Sequence, residues 1–196
     1  MLVLASASPR RQELLRNAGI LFEVCPADVP EIPMNGEPPV AFAERVAKEK
    51  ALKIWRQRPG DLVLGADTIV VVDGEILGKP IDARDANRML QLLSGREHEV
   101  TTAVCLIPPV KSDLGGDGNP QFVDIRSETT LVTMDAISTN DIAAYIATGE
   151  PMDKAGAYAI QGGAGSWIPR IRGDYSNVVG LPVLLVQKML QEHRVR

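Results

Sequence analysis

The first nineteen residues constrain this chain most. An apolar triplet, Leu2-Val3-Leu4, breaks into Ala5-Ser6-Ala7-Ser8-Pro9-Arg10-Arg11, and a helical pattern of Leu14, Leu15 and Ala18 then closes at Gly19. This order predicts a strand that delivers a loop to a helix N-terminus. Ser8 suits the N-cap and Pro9 the first helical position, so the unpaired backbone N–H groups and the positive end of the macrodipole face the loop. Such an end attracts anions. Arg10 and Arg11 add two guanidiniums whose forked donors match phosphate oxygens. In a chain of formal net charge −4, these arginines speak for a local anionic ligand, with Ser8 and Arg11 as phosphate-binding candidates. A capped helix with two solvated arginines is the plainer alternative.

The length of 196 residues suits a single domain over 1–196 with a substantial core. An acidic charge balance without a basic block argues against duplex nucleic acid as a partner. Cys25 and Cys105 lie far apart with no second ligand at metal spacing, so they are expected to be reduced core thiols. No apolar stretch reaches bilayer-spanning length, and a cytoplasmic protein without a membrane partner is expected.

Further along, prolines at 26, 30, 33, 38 and 39 require a loop, and it carries Asp28 and Glu31. Val40, Ala43, Val46, Ala47, Ala51 and Ile54 recur at helical spacing, with Glu44 and Lys48 placed as an i,i+4 pair. Residues 62–72 read as a strand interrupted by Gly65-Ala66-Asp67-Thr68, and Asp73-Gly74 signals a hairpin. A helix is expected over 82–93, strands over 99–107 and 121–134, a flexible connection over 108–120, and helices over 139–147 and from Pro182 onward. His98, just past a helix stop at Gly95, is read as a favourable charge at that helix end. Alternating strands and helices give an α/β fold with a mixed sheet.

Four polar clusters punctuate the apolar segments: Ser8-Pro9-Arg10-Arg11, Gly65-Ala66-Asp67-Thr68, Gly78-Lys79-Pro80, and Asp153-Lys154 with Gln161. A carboxylate inside an apolar strand needs a partner, and for Asp67 either a divalent cation or a lysine would serve. The arginines with Lys50, Lys79 and Lys154 supply charge for a polyphosphate. Asp67 with Glu31 offers oxygen ligands to a hard cation, Mg2+ or Mn2+. A carboxylate so placed also activates water. The inventory suits metal-assisted attack on a phosphoanhydride.

Seven separated segments carry a resemblance over nearly the whole chain: Ser6 to Arg11, Gly65 to Thr68, Lys79-Pro80, Ser94 to Val100, Asp153 to Tyr158, Ile160 to Gly162, and Gly173 to Pro182. In this order they are similar to the motifs of the Maf family of nucleotide pyrophosphatases. The resemblance implies a two-lobed α/β fold like that of inosine triphosphate pyrophosphatases, with a long mixed sheet and a cleft. It implies hydrolysis of a nucleoside triphosphate to the monophosphate and pyrophosphate with a divalent cation, Asp67 as proton acceptor, and a homodimer. Arg10, Thr68 and Gln161 match positions that separate the dTTP/UTP branch from the 7-methyl-GTP branch. Glu31, Lys50, Lys79 and Lys154 match further charged residues of the cleft. A nucleotide-binding regulator of septum formation is the alternative from a different class; it would not need Asp67.

Overall fold

The computed structural model describes residues 1–110 and 119–194. Eight residues of the expected flexible connection, 111–118, lie outside them. Among the described residues seven strands and six α-helices follow in the order β1 (Leu2–Leu4), α1 (Pro9–Asn17), β2 (Glu23–Val24), α2 (Pro39–Gln57), β3 (Leu62–Val72), β4 (Glu75–Leu77), α3 (Ala83–Leu93), β5 (Glu97–Ile107), β6 (Asp124–Thr133), α4 (Thr139–Ala147), β7 (Arg170–Arg172), α5 (Tyr175–Val179) and α6 (Val183–Arg194). Strand neighbours run β2-β1-β3-β5-β6-β7, with β4 also on β3. β1 pairs parallel with β2 and β3, whereas β3 with β4 and β6 with β7 are antiparallel. The sheet is mixed, as the alternation of elements predicts.

The chain divides into two compact units, one of residues 1–67, 102–128 and 180–196, the other of 68–101 and 129–179. The division falls at the Asp67–Thr68 bond. In the first unit Leu2 and Leu4 of β1, Leu15 of α1, Leu64 of β3, Val104 and Leu106 of β5, and Val186 and Met189 of α6 form one core. In the second, Val70 and Val72 of β3, Met89 and Leu93 of α3, Val132 of β6, and Ile142 and Tyr145 of α4 form another.

Helix starts follow local chemistry. Ser8 Oγ accepts the Arg11 N–H, Asp82 caps α3 through the Asp85 N–H at 2.7 Å, and Ser138 caps α4 through the Asp141 N–H at 3.1 Å. The 73–74 turn has positive φ at both Asp73 (51°) and Gly74 (80°), the conformation a tight hairpin demands.

Three expectations need correction. β3 is not interrupted: it runs unbroken through Gly65 and Asp67. Gly65 is required by close approach, since a Cβ there would lie 2.3 Å from the Ala47 carbonyl oxygen and 2.8 Å from the Ala51 N of α2. His98 does not serve the end of α3. It is 2% exposed on β5, with its Nε2 2.7 Å from the Tyr158 hydroxyl. On α2 the i,i+4 ion pair is Arg45 with Glu49, while Glu44 accepts from the Ser127 hydroxyl at 3.0 Å.

Candidate functional site

Three elements of the first unit converge on one carboxylate. β3, central in the sheet, carries Asp67 at 6% exposure. Lys50 lies on the inward stripe of α2 among Val46, Ala47, Ala51 and Ile54, and is equally buried. Its Nζ sits 2.7 Å from Asp67 Oδ1 and 2.6 Å from Glu31 Oε1, so one ammonium bridges two carboxylates. The proline-rich loop that supplies Glu31 keeps that side chain partly exposed. Burial pushes the Asp67 carboxyl above its ordinary value, while Lys50 and Arg11 oppose the shift and Glu31 adds to it. Asp67 is therefore a stronger base than a solvated carboxylate.

Arg11 closes this arrangement from below. Its Nε donates to the Gly180 carbonyl at 2.8 Å, and its Nη1 donates to the Ala66 carbonyl at 2.9 Å and to Ser6 Oγ at 3.1 Å. These bonds tie the start of α1 to the residue before Asp67 and to the 180 turn. Burial pulls the guanidinium below its ordinary value, and Asp67 and Glu31 pull it back. Arg10 and Ser8 remain half-buried at the same helix start. Of the two arginines, Arg10 is the one not enclosed by the core.

The second unit brings together two other predicted clusters. The Gly156 N–H donates to the Gly78 carbonyl at 3.0 Å, which sets the Asp153-Lys154 turn beside Gly78-Lys79. Gly156 has φ of 69°, and a Cβ on it would meet the Val70 side chain at 2.9 Å. Ala157 follows at φ 59°, a left-handed conformation that costs an alanine about 1 kcal/mol or more and persists only where surrounding structure enforces it. Lys154 Nζ donates to the Glu150 carbonyl at 2.9 Å and pairs with Asp153. Lys79 and Gln161 are exposed, and Thr68 is half-buried on β3.

Among the described residues no group of three or more His, Cys, Asp or Glu is placed to hold a metal. Glu31 and Asp67 bring two carboxylates together on one ammonium, oxygen donors of the class that hard cations such as Mg2+ or Mn2+ take. Sequence reasoning missed the Ser6 hydroxyl and the Gly180 carbonyl that hold Arg11, and also Glu150. For Lys50 a signal was present: position 50 falls on the apolar stripe of α2, where a lysine is out of place unless paired.

A family model described as Maf-like protein matches residues 1–193. A protein of Koribacter versatilis named dTTP/UTP pyrophosphatase is 53% identical over 190 residues, covering 97% of this chain and 93% of its own. One of the same name from Geobacter sulfurreducens is 50% identical over 190 residues, covering 97% and 95%. A solved nucleoside-triphosphatase / dITP/XTP pyrophosphatase of Mycobacterium abscessus overlaps 68% of this chain and 72% of its own at 14% identity and a TM-score of 0.39, a likeness too slight to bear on the fold.

Proposed function

The chain belongs to the family of Maf-like proteins, and from that premise we propose that it hydrolyses dTTP and UTP to the nucleoside monophosphate and pyrophosphate. The observation that carries the reading is the buried Asp67, held 2.7 Å from Lys50 inside an unbroken strand. Burying an acid there costs several kcal/mol by order of magnitude unless it is compensated, and folds keep such groups where chemistry uses them.

In the reaction Asp67 takes a proton from the attacking water, whose oxygen bonds to the α-phosphorus as the α–β bridging bond breaks and pyrophosphate leaves. A divalent cation held by Glu31 and Asp67 would neutralise charge on the phosphates. Arg10, Ser8 and the N–H groups at the start of α1 bind phosphate oxygens, and Arg11 keeps that helix start in place. Lys50 favours the ionised form of Asp67 and orients it; Lys79 and Lys154 offset charge growing on the leaving group. The Gln161 amide offers one donor and one acceptor, matching the carbonyl and imide edge of uracil or thymine, with Thr68 beside Asp67 in sequence as its partner in selection.

The test is the bond broken. Incubation with dTTP and Mg2+ should give dTMP and pyrophosphate, followed by separate assays for pyrophosphate and orthophosphate. Release of dTDP and orthophosphate as first products would overturn the assignment. Light scattering with a mass of two chains is expected from the proposed homodimer.

A further inference from the structure

Glu150 has no role in the chemistry above, yet its carboxylate holds both flanks of Gln161. Its Oε1 accepts the Tyr145 hydroxyl at 2.8 Å, and the same hydroxyl oxygen accepts the N–H of Ala159, two residues before Gln161, at 3.3 Å. Two residues after it, the Gly163 N–H donates to the two carboxylate oxygens at 3.2 and 3.3 Å. Between these anchors the Gly162 N–H donates to the Ala159 carbonyl at 3.1 Å, and the Gly165 N–H donates to the Gly162 carbonyl at 3.0 Å. A Cβ on Gly162 would fall 1.8 Å from Glu150 Oε1, and one on Gly165 would fall 2.5 Å from the Ile160 carbonyl oxygen.

Tyr145 is itself fixed, 5% exposed and edge-on to Trp167 with ring centroids 5.2 Å apart. Burial and the Glu150 contact hold its phenol above its ordinary value, so it keeps the proton that it donates. An exposed amide that must match a planar base edge binds best when its backbone is ordered before the ligand arrives, because the ordering cost then falls on folding and not on binding. Here a carboxylate, a phenol and the close fit of Glu150 against Gly162 provide that order around Gln161.

We propose that Glu150, acting through Tyr145 and the 162–163 turn, is a positioning residue that sets pyrimidine selectivity by fixing the backbone of Gln161. This rests on the assignment of Gln161 as reader of the base edge. The experiment measures kcat and KM for dTTP and CTP in Gln161→Ala, Tyr145→Phe, Glu150→Gln and Glu150→Ala, with melting temperatures alongside. Tyr145→Phe keeps the ring and loses only the hydroxyl. It should lower kcat/KM for dTTP by about threefold to tenfold, the scale of one hydrogen bond, through KM with kcat retained, and should narrow the dTTP to CTP ratio. Glu150→Ala should do so by roughly tenfold or more, with Glu150→Gln in between because one acceptor survives. Gly162→Ala should reproduce Glu150→Ala in the native background and add little in the Glu150→Ala background, where its Cβ has room. An unchanged ratio in Tyr145→Phe and both Glu150 variants, with Gln161→Ala altering it, would overturn the positioning role alone. An unchanged ratio in Gln161→Ala would overturn the base-reading assignment, and this proposal with it.

Discussion

The two units bury polar groups by different rules. Among the described residues, the first encloses Arg11, Lys50 and Asp67, which carry charge, besides the hydroxyls of Ser6 and Thr102; the second encloses only neutral groups, His98, Thr101, Thr130 and Asn177. In the second unit the bonds join segments distant in sequence: Asn177 Nδ2 donates to the Val100 carbonyl at 2.9 Å and to Thr130 Oγ1 at 3.0 Å, and Thr101 and Thr129 share a hydroxyl bond at 2.8 Å. Neutral groups satisfied this way cost little. Charges sequestered in the first unit are held against a desolvation penalty that only their mutual pairing offsets. The comparison therefore separates a unit that buries charge from one whose buried polar groups are neutral.

The largest expected effect strikes the charged unit. Lys50→Met leaves Asp67 and Glu31 without their shared ammonium, and stability should fall by about 3–5 kcal/mol, the scale for breaking a buried ion pair. Denaturant unfolding checks this, and adding Asp67→Asn should restore part of the loss. A loss below about 1 kcal/mol would show that the first unit tolerates its charges as easily as the second tolerates its hydroxyls.

The neutral unit should respond to pH. Burial lowers His98 from 6.5 to about 4. Between these values the unfolded chain binds the proton and the folded chain does not, so stability is full above about pH 6.5 and is lost as pH falls toward 4. The change is about 3 kcal/mol over that window. His98→Gln should flatten this slope in melting curves taken from pH 7 to 4. An equal slope in the variant would place the acid sensitivity elsewhere.

Catalysis sharpens the contrast. Asp67→Asn should keep the fold and lower kcat by at least ~10²-fold, the usual scale for a lost general base. Wild-type activity should fall on the acid side above the usual carboxylate range, because burial raises the Asp67 carboxyl. Activity within a few-fold of wild type in the folded variant would break the assignment. The smallest effect belongs to the second unit: Gln161→Ala should lower kcat/KM for dTTP and UTP by roughly tenfold to a hundredfold, narrowing the gap to CTP and purine triphosphates. An equal loss on every nucleotide would show that Gln161 supports the phosphates.

Much of this was legible in the residues. Ser8 before Pro9, Asp82 before α3 and Asp73-Gly74 act through bonds within a few residues, so sequence alone places them. Gly65 was read as a break because its reason lies on another element, the backbone of α2. β7 and α5 were not anticipated: Arg170–Arg172 is a strand because it pairs with β6, and no period in three residues announces that. His98 could have been found, since Glu97-His98-Glu99-Val100 alternates exposed and buried and so puts the imidazole on the core face beside Val100. For the site, the sequence offered Asp67 with Glu31 as ligands of a cation and a lysine as the other possible partner of Asp67, without saying which lysine. Their meeting on one ammonium depends on the packing of α2 against β3, which motifs do not encode. Glu150 had no sequence signal, because its partners are a phenol and backbone N–H groups.

Gly65 turns that packing into chemistry. The backbone of α2 already stands where a side chain at 65 would begin, so the helix and the strand touch at a hard stop. Lys50 leaves the helix between Ala47 and Ala51, the two residues against that stop, and the length of its reach to Asp67 is set there. A single methyl at position 65 would wedge the two elements apart and slacken a 2.7 Å contact that Coulomb's law makes steep in distance. The proton affinity of the buried carboxylate is thus gauged mechanically, by a residue that has no side chain and carries no charge.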